Sequence, residues 1–586
     1  MKVRLPRSRN AWRWLWPLST ALVVRAACGY RGFPAIDDFA YVPVARAALD
    51  PTLYAGDVLL QRFLLHSPVW AVIVGIADRT IGIPDVFWLA TIALTVATVF
   101  AAARLMRTAG VPAYLLPVLV AVGFLGRVQG IGRGAFDGAL GNGFHAQWVA
   151  LCLLLWCYDA FVRRRAISSG VLLGLATLAH PLVGLHGAFA LAVATLMARG
   201  SAWRELAVVA SSCAIVSTPI TVPILLHFGE AKRAAAPIAE VVRQGVLFRA
   251  PHHYTLDGIS TPTLVLVGLL ALSGVAATAA FDPRRRPIAR PRLVGLCVGH
   301  ILLLCAALAL NGPLRETPIA LASFLPYALD LTRTTPLTLV LATLLLIGAV
   351  WSPPRPSATR GQRALWLGLV LSFGTIALLG VTWQLAVLVL AVVGIGVRVL
   401  HIPFRTPVAA GTLSAILVAA VGWAALHDRR ELAPTPDAAA LYAWIHDSTA
   451  TDALFVVPPG FREFRLLAER SIYADFELFP NTSPPDIIEW RRRLELIAQP
   501  DVVTAQQRGW APGVPLWDRS YAVRNTPTRI AMLLGVTGAR YFVWDSLAAE
   551  APPYVPTSRQ DESMARVVYA NARYKVYELS ADASRR

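Results

Sequence analysis

Residues 146–199 read AQWVALCLLLWCYDAFVRRRAISSGVLLGLATLAHPLVGLHGAFALAVATLMAR. The first run, 146–162, holds a single charge, Asp159, and is closed by Arg163, Arg164 and Arg165. The next, 167–198, is broken by His180-Pro181 and is long enough for a short helical pair. A helix needs roughly 20 apolar residues to cross a bilayer, and basic residues collect in the cytoplasmic loops between crossings. Apolar runs separated by short arginine-rich loops therefore predict a polytopic α-helical membrane protein.

The rest of the chain repeats this pattern. Further runs lie at about 84–103, 111–126, 205–227, 261–281, 293–310, 335–351, 364–381, 382–400 and 408–426. The stretch 67–83 is ambiguous because it carries Asp78 and Arg79. Of the 586 residues, 56% are hydrophobic and 15% charged, with a mean hydropathy of +0.56. That is too little polar surface to coat a soluble globule of this size.

Lys and Arg outnumber Asp and Glu, 54 to 35, which on a soluble protein would suggest nucleic acid. Here the cations sit in short loops, as at Arg284, Arg285, Arg286, Arg290 and Arg292, which is the positive-inside pattern. No nucleic-acid partner is expected. Cys28, Cys152, Cys157, Cys213, Cys297 and Cys305 all fall in apolar segments, which argues against a disulfide framework or a CxxC metal site. The start, with Lys2, Arg4, Arg7, Arg9 and Arg13 ahead of an apolar stretch to Tyr30, reads as an uncleaved first helix, since Arg25 interrupts its core.

Charge parity then sets the topology. With the N-terminus and the Arg163 loop both inside, the segments from 31 to 162 must cross an odd number of times, yet four candidates are present, so one does not cross. Taking 167–198 as a pair leaves every later basic loop inside and gives about 13 helices. The loops at 31–66, 228–260 and 311–334 then face outward, with everything after about 427.

From Glu431 the composition becomes that of a soluble fold. A helix is expected over 437–447, a buried strand over 453–457, a turn at Pro458-Pro-Gly460 and a helix over 461–470. A second strand lies near Tyr473, then a helix over 526–538, a strand over 540–544 and a closing hairpin through 566–569 and 574–578. The division is thus 1–426 for the membrane domain and 427–586 for an extracytoplasmic α/β domain.

The first outer loop reads RGFPAIDDFAY over 31–41 and returns to the bilayer at His66-Ser-Pro68. Asp37 and Asp38 stand just beyond the first helix, where a carboxylate can meet both a lipid headgroup and an aqueous acceptor. This pattern of inside N-terminus, acidic first outer loop, many helices and outer C-terminal domain resembles the GT-C superfamily of membrane glycosyltransferases, or GT-C-like bacterial membrane proteins of unassigned substrate. The resemblance implies a polyprenyl-phosphate sugar donor, a cell-envelope glycan, lipid or protein as acceptor, and Asp37 or Asp38 as catalytic base. The plainer reading is that the pair caps an interfacial helix. Asp37 and Asp38 also lack the D-x-D spacing of metal-using members. Adjacent side chains on a helix point about 100° apart and rarely chelate one ion, so Mg or Mn is left open and no metal ligand is assigned.

Arg249, His252, His253 and Tyr254 form a cationic, hydrogen-bonding cluster in the second outer loop, suited to a lipid phosphate and equally to anchoring among headgroups. Arg315, beside Glu316, is a further phosphate candidate. His66, Arg133, Asp137, His145 and His180 are candidate cavity-lining residues. Gly130, Gly132 and Gly134 imitate a dinucleotide fingerprint but follow no strand. His180-Pro181 also reads as a helix break whose imidazole satisfies freed backbone groups. In the C-terminal region Arg465, Arg470, Asp475 and the 489–493 run mix aromatics and charges; packed or solvated helix faces are the favoured reading, carbohydrate contact the other.

The expected function is sugar transfer at the outer face of the cell membrane. A transporter or flippase of lipid-linked precursors is the first alternative, kept open by Arg25, Asp78, Arg79 and His180 but lacking an internal repeat. A non-catalytic envelope-assembly scaffold is the second.

Overall fold

In hydrocarbon a backbone can satisfy its N–H and C=O groups only within a helix or a closed barrel, and among the described residues the apolar runs are helices; the runs expected at 261–281, 364–381, 382–400 and 408–426 lie almost wholly outside them. The computed structural model describes residues 8–28, 30, 32–34, 38–63, 68–111, 113–120, 143–198, 202–231, 273, 276, 289–311, 314, 331–350, 368, 433–476, 478–480, 484–499, 517–522, 526–546 and 565–579. The helices of the first part are α1 (Ser8–Cys28), α2 (Asp38–Leu49), α3 (Val58–Phe63), α4 (Pro68–Asp78), α5 (Ile83–Ala109), α6 (Leu116–Leu119), α7 (Ala146–Val162), α8 (Ala166–Ala179), α9 (Pro181–Met197), α10 (Ala202–Ala231), α11 (Ala289–Asn311) and α12 (Thr335–Val350). Among the described residues three stretches are long and apolar enough to cross a membrane, Ile83–Ala109, Trp203–Leu226 and Pro291–Leu310. Shorter apolar helices pack beside them, with α7 against α5 and α8, α8 against α10, and α9 against α11.

The ambiguous stretch 67–83 resolves into α4, whose 11 residues reach about 16 Å, half the roughly 30 Å of a hydrocarbon core. It lies against α2.

Close helix contact in lipid depends on small residues. A Cβ on Gly299 of α11 would stand 2.6 Å from the Cα of Ala190 on α9, and one on Gly295 would collide with the Cα of Ala194. The two helices thus touch backbone to backbone.

Charges gather at one end of this bundle. Asp159, at the end of α7, accepts from Arg104 of α5 at 3.0 Å, from Arg163 at 2.8 Å and from Thr108 at 2.8 Å. Arg292 of α11 pairs with Glu205 of α10 and donates to the Phe161 carbonyl at 2.6 Å. The opposite end carries the starts of α5 and α7, where Ile83, Phe87 and Ala146 join Phe33, Phe39, Trp70 and Leu466 in one apolar cluster.

The C-terminal residues build a five-stranded sheet in the order β2-β1-β3-β5-β4, from β1 (Leu454–Val456), β2 (Ser471–Ile472), β3 (Tyr541–Asp545), β4 (Ala565–Ala570) and β5 (Tyr574–Leu579). β1 runs parallel to β2 and β3, while β5 is antiparallel to β3 and β4. Its helices are α13 (Pro436–Ser448), α14 (Phe464–Ala468), α15 (Pro484–Ile497) and α16 (Pro527–Thr537). Alternation along the strands fills two cores: Phe455, Tyr541, Val543 and Val576 meet α13 on one face, and Val456, Phe542, Trp544 and Tyr577 meet α15 and α16 on the other. Arg470 donates to the His446 and Thr449 carbonyls at 2.6 and 2.8 Å, closing the C-terminal end of α13.

Candidate functional site

Of the sequence-derived candidates, Asp38, His145 and His180 fall among the described residues. Asp37, His66, Arg133, Asp137, Arg249, His252, His253, Tyr254 and Arg315 lie outside them.

Asp38 is the first residue of α2 and is buried, with 5% of its surface exposed. A carboxylate there sits at the positive end of a helix dipole. The next residue, Phe39, packs in the apolar cluster with Phe33, Trp70, Phe87 and Ala146, and Tyr41 stacks on Trp70 at 5.7 Å. Over the ring of Phe39, at 4.8 Å, stands the guanidinium of Arg462 from the α/β module.

Ala146 opens α7, so the aromatic cluster ties the first turn of α2 to the first turn of α7. His145, the residue before it, is buried edge-on to Trp148 at 4.6 Å. Gln147, the residue after it, accepts from Nη1 of Arg333 at 2.9 Å, and the same Nη1 lies 3.2 Å from Nε2 of His180. His180 separates α8 from α9, and its Nδ1 accepts from the Val183 N–H at 3.4 Å, which satisfies one of the free donors at the start of α9. The structure therefore brings His145 and His180 to one end of the bundle and adds Arg333 and Gln147. Arg333 belongs to a short 3₁₀ turn, Leu331–Thr334, just before α12. Its sequence signal was a lone cation at a membrane re-entry, TRTTP over 332–336.

The same turn reaches inward. Thr334 Oγ1 lies 2.5 Å from Nδ1 of His300, whose Nε2 is 2.7 Å from the hydroxyl of Tyr158, all three fully buried between helices. Ionisable groups inside a helical membrane body are costly and are retained for packing or function.

A second constellation joins the first loop to the α/β module. Arg465 of α14 is 1% exposed and donates from Nε to Asp57 Oδ2 at 2.6 Å and from Nη1 to Asp475 Oδ2 at 2.5 Å. Asp57 also accepts from the backbone of Leu60 at 3.0 Å and of Ile472 at 3.1 Å. Asp475 accepts from the Leu478 N–H at 3.2 Å, and its carbonyl takes the Trp490 indole N–H at 2.8 Å. Burial pushes the Asp475 carboxyl above its usual range, and Arg465 pulls it back down. Around this core, Tyr54 donates to the Arg465 carbonyl at 2.8 Å, Arg46 meets Glu469 at 2.7 Å and Arg62 meets Asp486 at 2.6 Å. Burial pushes the Tyr54 phenol up as well. The charges of Arg465 and Asp475 thus face inward, so the carbohydrate-contact reading does not apply to them. Asp78 is not a mid-bundle charge either: it pairs with Arg46 at 3.4 Å, partly exposed.

Among the described residues no three His, Cys, Asp or Glu side chains gather as a metal-ligating group. Residues 436–497 match a family described as a domain of unknown function, DUF6798. That stretch contains Arg462, Arg465, Glu469 and Asp486, which contact the first loop, and Asp475, which holds Arg465 from the other side. No curated protein matches the chain. A solved structure, the single-particle cryo-EM structure of the arabinofuranosyltransferase AftD from mycobacteria, is similar over 98% of this chain, at 13% identity and a TM-score of 0.44. The chain spans 40% of the length of that one.

Proposed function

We propose that this protein is a multi-pass membrane glycosyltransferase that moves a sugar from a polyprenyl-phosphate donor to a cell-envelope acceptor on the outer face of the cell membrane. The observation that supports this reading is the placing of a buried carboxylate and a guanidinium, from distant parts of the chain, toward one end of the bundle. Phe39, next to Asp38, shares an apolar cluster with Ala146 at the start of α7, and Arg333 donates to Gln147 of the same turn.

The chemistry asked of such a pair is a single displacement. A carboxylate, Asp37 or Asp38, takes the proton of the acceptor hydroxyl while that oxygen bonds to the anomeric carbon, and the bond from that carbon to the phosphate oxygen breaks. The lipid phosphate leaves with the electron pair, and cationic donors offset its charge. Arg333 and His180 suit that role, and Arg249, His252, His253, Tyr254 and Arg315 remain proposed companions. In-line displacement inverts the anomeric centre. Mg or Mn is not required by this scheme.

The basic end of the bundle fits the cytoplasmic side, with the N-terminus inside and the α/β module outside. A transporter of lipid-linked precursors is the second reading, favoured by one observation, the buried Thr334–His300–Tyr158 chain. Transfer of radiolabelled sugar from a panel of polyprenyl-phosphate donors, in membranes matched for expression of wild type, Asp37→Asn, Asp38→Asn and Arg333→Met, tests the proposal. Loss of transfer in one Asp variant with folded protein retained supports it. Transfer untouched by both Asp variants sinks the site assignment, and no transfer from any donor favours the transporter.

A further inference from the structure

The α/β module does not end at its own sheet. β2 is an edge strand, and the first loop completes that edge: the Ile472 N–H donates to the Asp57 carboxylate at 3.1 Å, where a neighbouring strand would otherwise supply an acceptor. Leu59 of α3 is fully buried in the core that holds Val456, Tyr473 and Trp490, and Tyr54 and Leu60 are fully buried against Leu478. Residues 54–60 are thus packed as part of the module although some 400 residues precede it in sequence, as the Asp57–Arg465 separation of 408 records.

This bears on α2. Among the described residues its main neighbours are α3, α4 and α14, a six-residue helix docked in the module, an 11-residue helix, and a helix of the module itself. Among the described residues α2 is thus held between the membrane bundle, through α4 and the cluster with Phe87 and Ala146, and the module, through α14 and Leu466. Two residues at this joint, Tyr54 and Glu469, take left-handed backbone conformations, φ 59° and 53°, which non-glycine residues adopt at a cost unless their surroundings hold them. Both make contacts across the joint, to the Arg465 carbonyl and to Arg46.

We propose that Arg465 is a positioning residue for the candidate site: by clasping Asp57 and Asp475 it makes the first loop and the α/β module one mechanical unit, and so fixes α2, with Asp38 at its start and Arg462 over Phe39. The catalytic part of this inference rests on the glycosyltransferase reading, but the docking part does not.

Gly56 and Ser471 allow the two to be tested apart. A Cβ on Gly56 would lie 3.7 Å from the Cβ of Ser471, within the span of a disulfide. In the full chain in native membranes, Gly56→Cys with Ser471→Cys is expected to close a disulfide under mild oxidation, read as a mobility shift reversed by reductant. Absence of the disulfide, with each single cysteine still alkylated after denaturation, overturns the docking. Hydrogen exchange of the purified chain in nanodiscs is then compared for wild type, Arg465→Lys and Asp57→Asn. The expected result is exchange over 38–63 faster by at least tenfold, with 146–197 and 527–545 unchanged, and recovery when the disulfide is closed in the Arg465→Lys background. Unchanged exchange over 38–63, or faster exchange everywhere with no recovery on oxidation, overturns the positioning role. Where wild type shows donor-dependent transfer, kcat is expected to fall in Arg465→Lys with donor KM little changed and to return on oxidation; exchange recovery without transfer in wild type fails the enzyme reading alone.

Discussion

Arg465 clasps Asp57 across 408 residues of chain, Nε to Oδ2 at 2.6 Å and Nη2 to Oδ1 at 3.3 Å, with neither side chain more than 1% exposed. A buried bidentate pair of this kind is worth little beyond an apolar replacement of both partners, but removing one partner leaves an uncompensated charge.

Arg465→Met is therefore expected to cost about 3–5 kcal/mol, and Asp57→Asn, whose single amide oxygen can serve only one of the Leu60 and Ile472 N–H groups, about 1–3 kcal/mol. Urea unfolding of the detergent-solubilised chain, followed by tryptophan fluorescence, measures both. Asp475 gives the first variant a pH signature. Its carboxyl is already raised by burial and loses the opposing pull of Arg465, so its charged form becomes costlier and the deficit shrinks as pH falls. A deficit equal at pH 5 and pH 8 contradicts this.

Asp518 gives a pH dependence of its own. Burial raises its carboxyl to about 6, against the lowering effect of the Gly460 N–H that donates to it at 2.7 Å. An unfolded Asp titrates near 3.8, so between that value and about 6 the folded state binds more protons. Stability contributed through this group falls as pH rises across that window and is flat above it. Asp518→Asn keeps the acceptor oxygen and removes the titration. The difference in melting midpoint between wild type and variant is expected to favour the variant progressively from pH 4.5 to 6.5, then to level.

Gly299→Val is expected to drive α9 and α11 apart. The obstacle is the Cα of Ala190 and not its side chain, so Ala190→Gly does not rescue it. Overpacking of this kind costs about 1–3 kcal/mol. Thermal aggregation of single and double variants in detergent checks the claim, and full rescue by Ala190→Gly contradicts it.

If the transfer assay finds a donor, Arg333→Met is expected to raise its KM by about tenfold, the loss of one charged hydrogen-bonding group to phosphate. Gln147→Ala is expected to shift it less than threefold, since Gln147 only steers the guanidinium. Equal effects of the two would make Arg333 a structural residue.

Trp490→Phe tests the module core. It keeps the packing against Phe476 and Phe479 but strips the indole N–H from the Asp475 carbonyl, at an expected cost of about 1–2 kcal/mol in the same urea titration.

Local pattern made much of the architecture legible. Apolar run length locates α5, α7 and α11, and the break at His180-Pro181 falls where α8 gives way to α9. Alternation at Phe455 and Val456, and in the closing hairpin, locates β1, β4 and β5. These features depend on residues a few positions apart, which share one helix face or one side of a strand. The run Glu489 to Arg493 read as a packed or solvated helix face, but its charges gave no bounds for α15 and masked the burial of Trp490 at its centre.

The sequence by itself determined that this is a helical membrane chain with basic loops, an acidic pair after its first helix and an α/β segment near its end. Only the tertiary structure decided that α4 packs against α2, that Arg333 meets His180 and Gln147, and that Asp57 belongs to the module's edge. Composition and period report how a segment meets its solvent. Which of 54 cations meets which of 35 carboxylates depends on where distant segments pack, and no local pattern carries that.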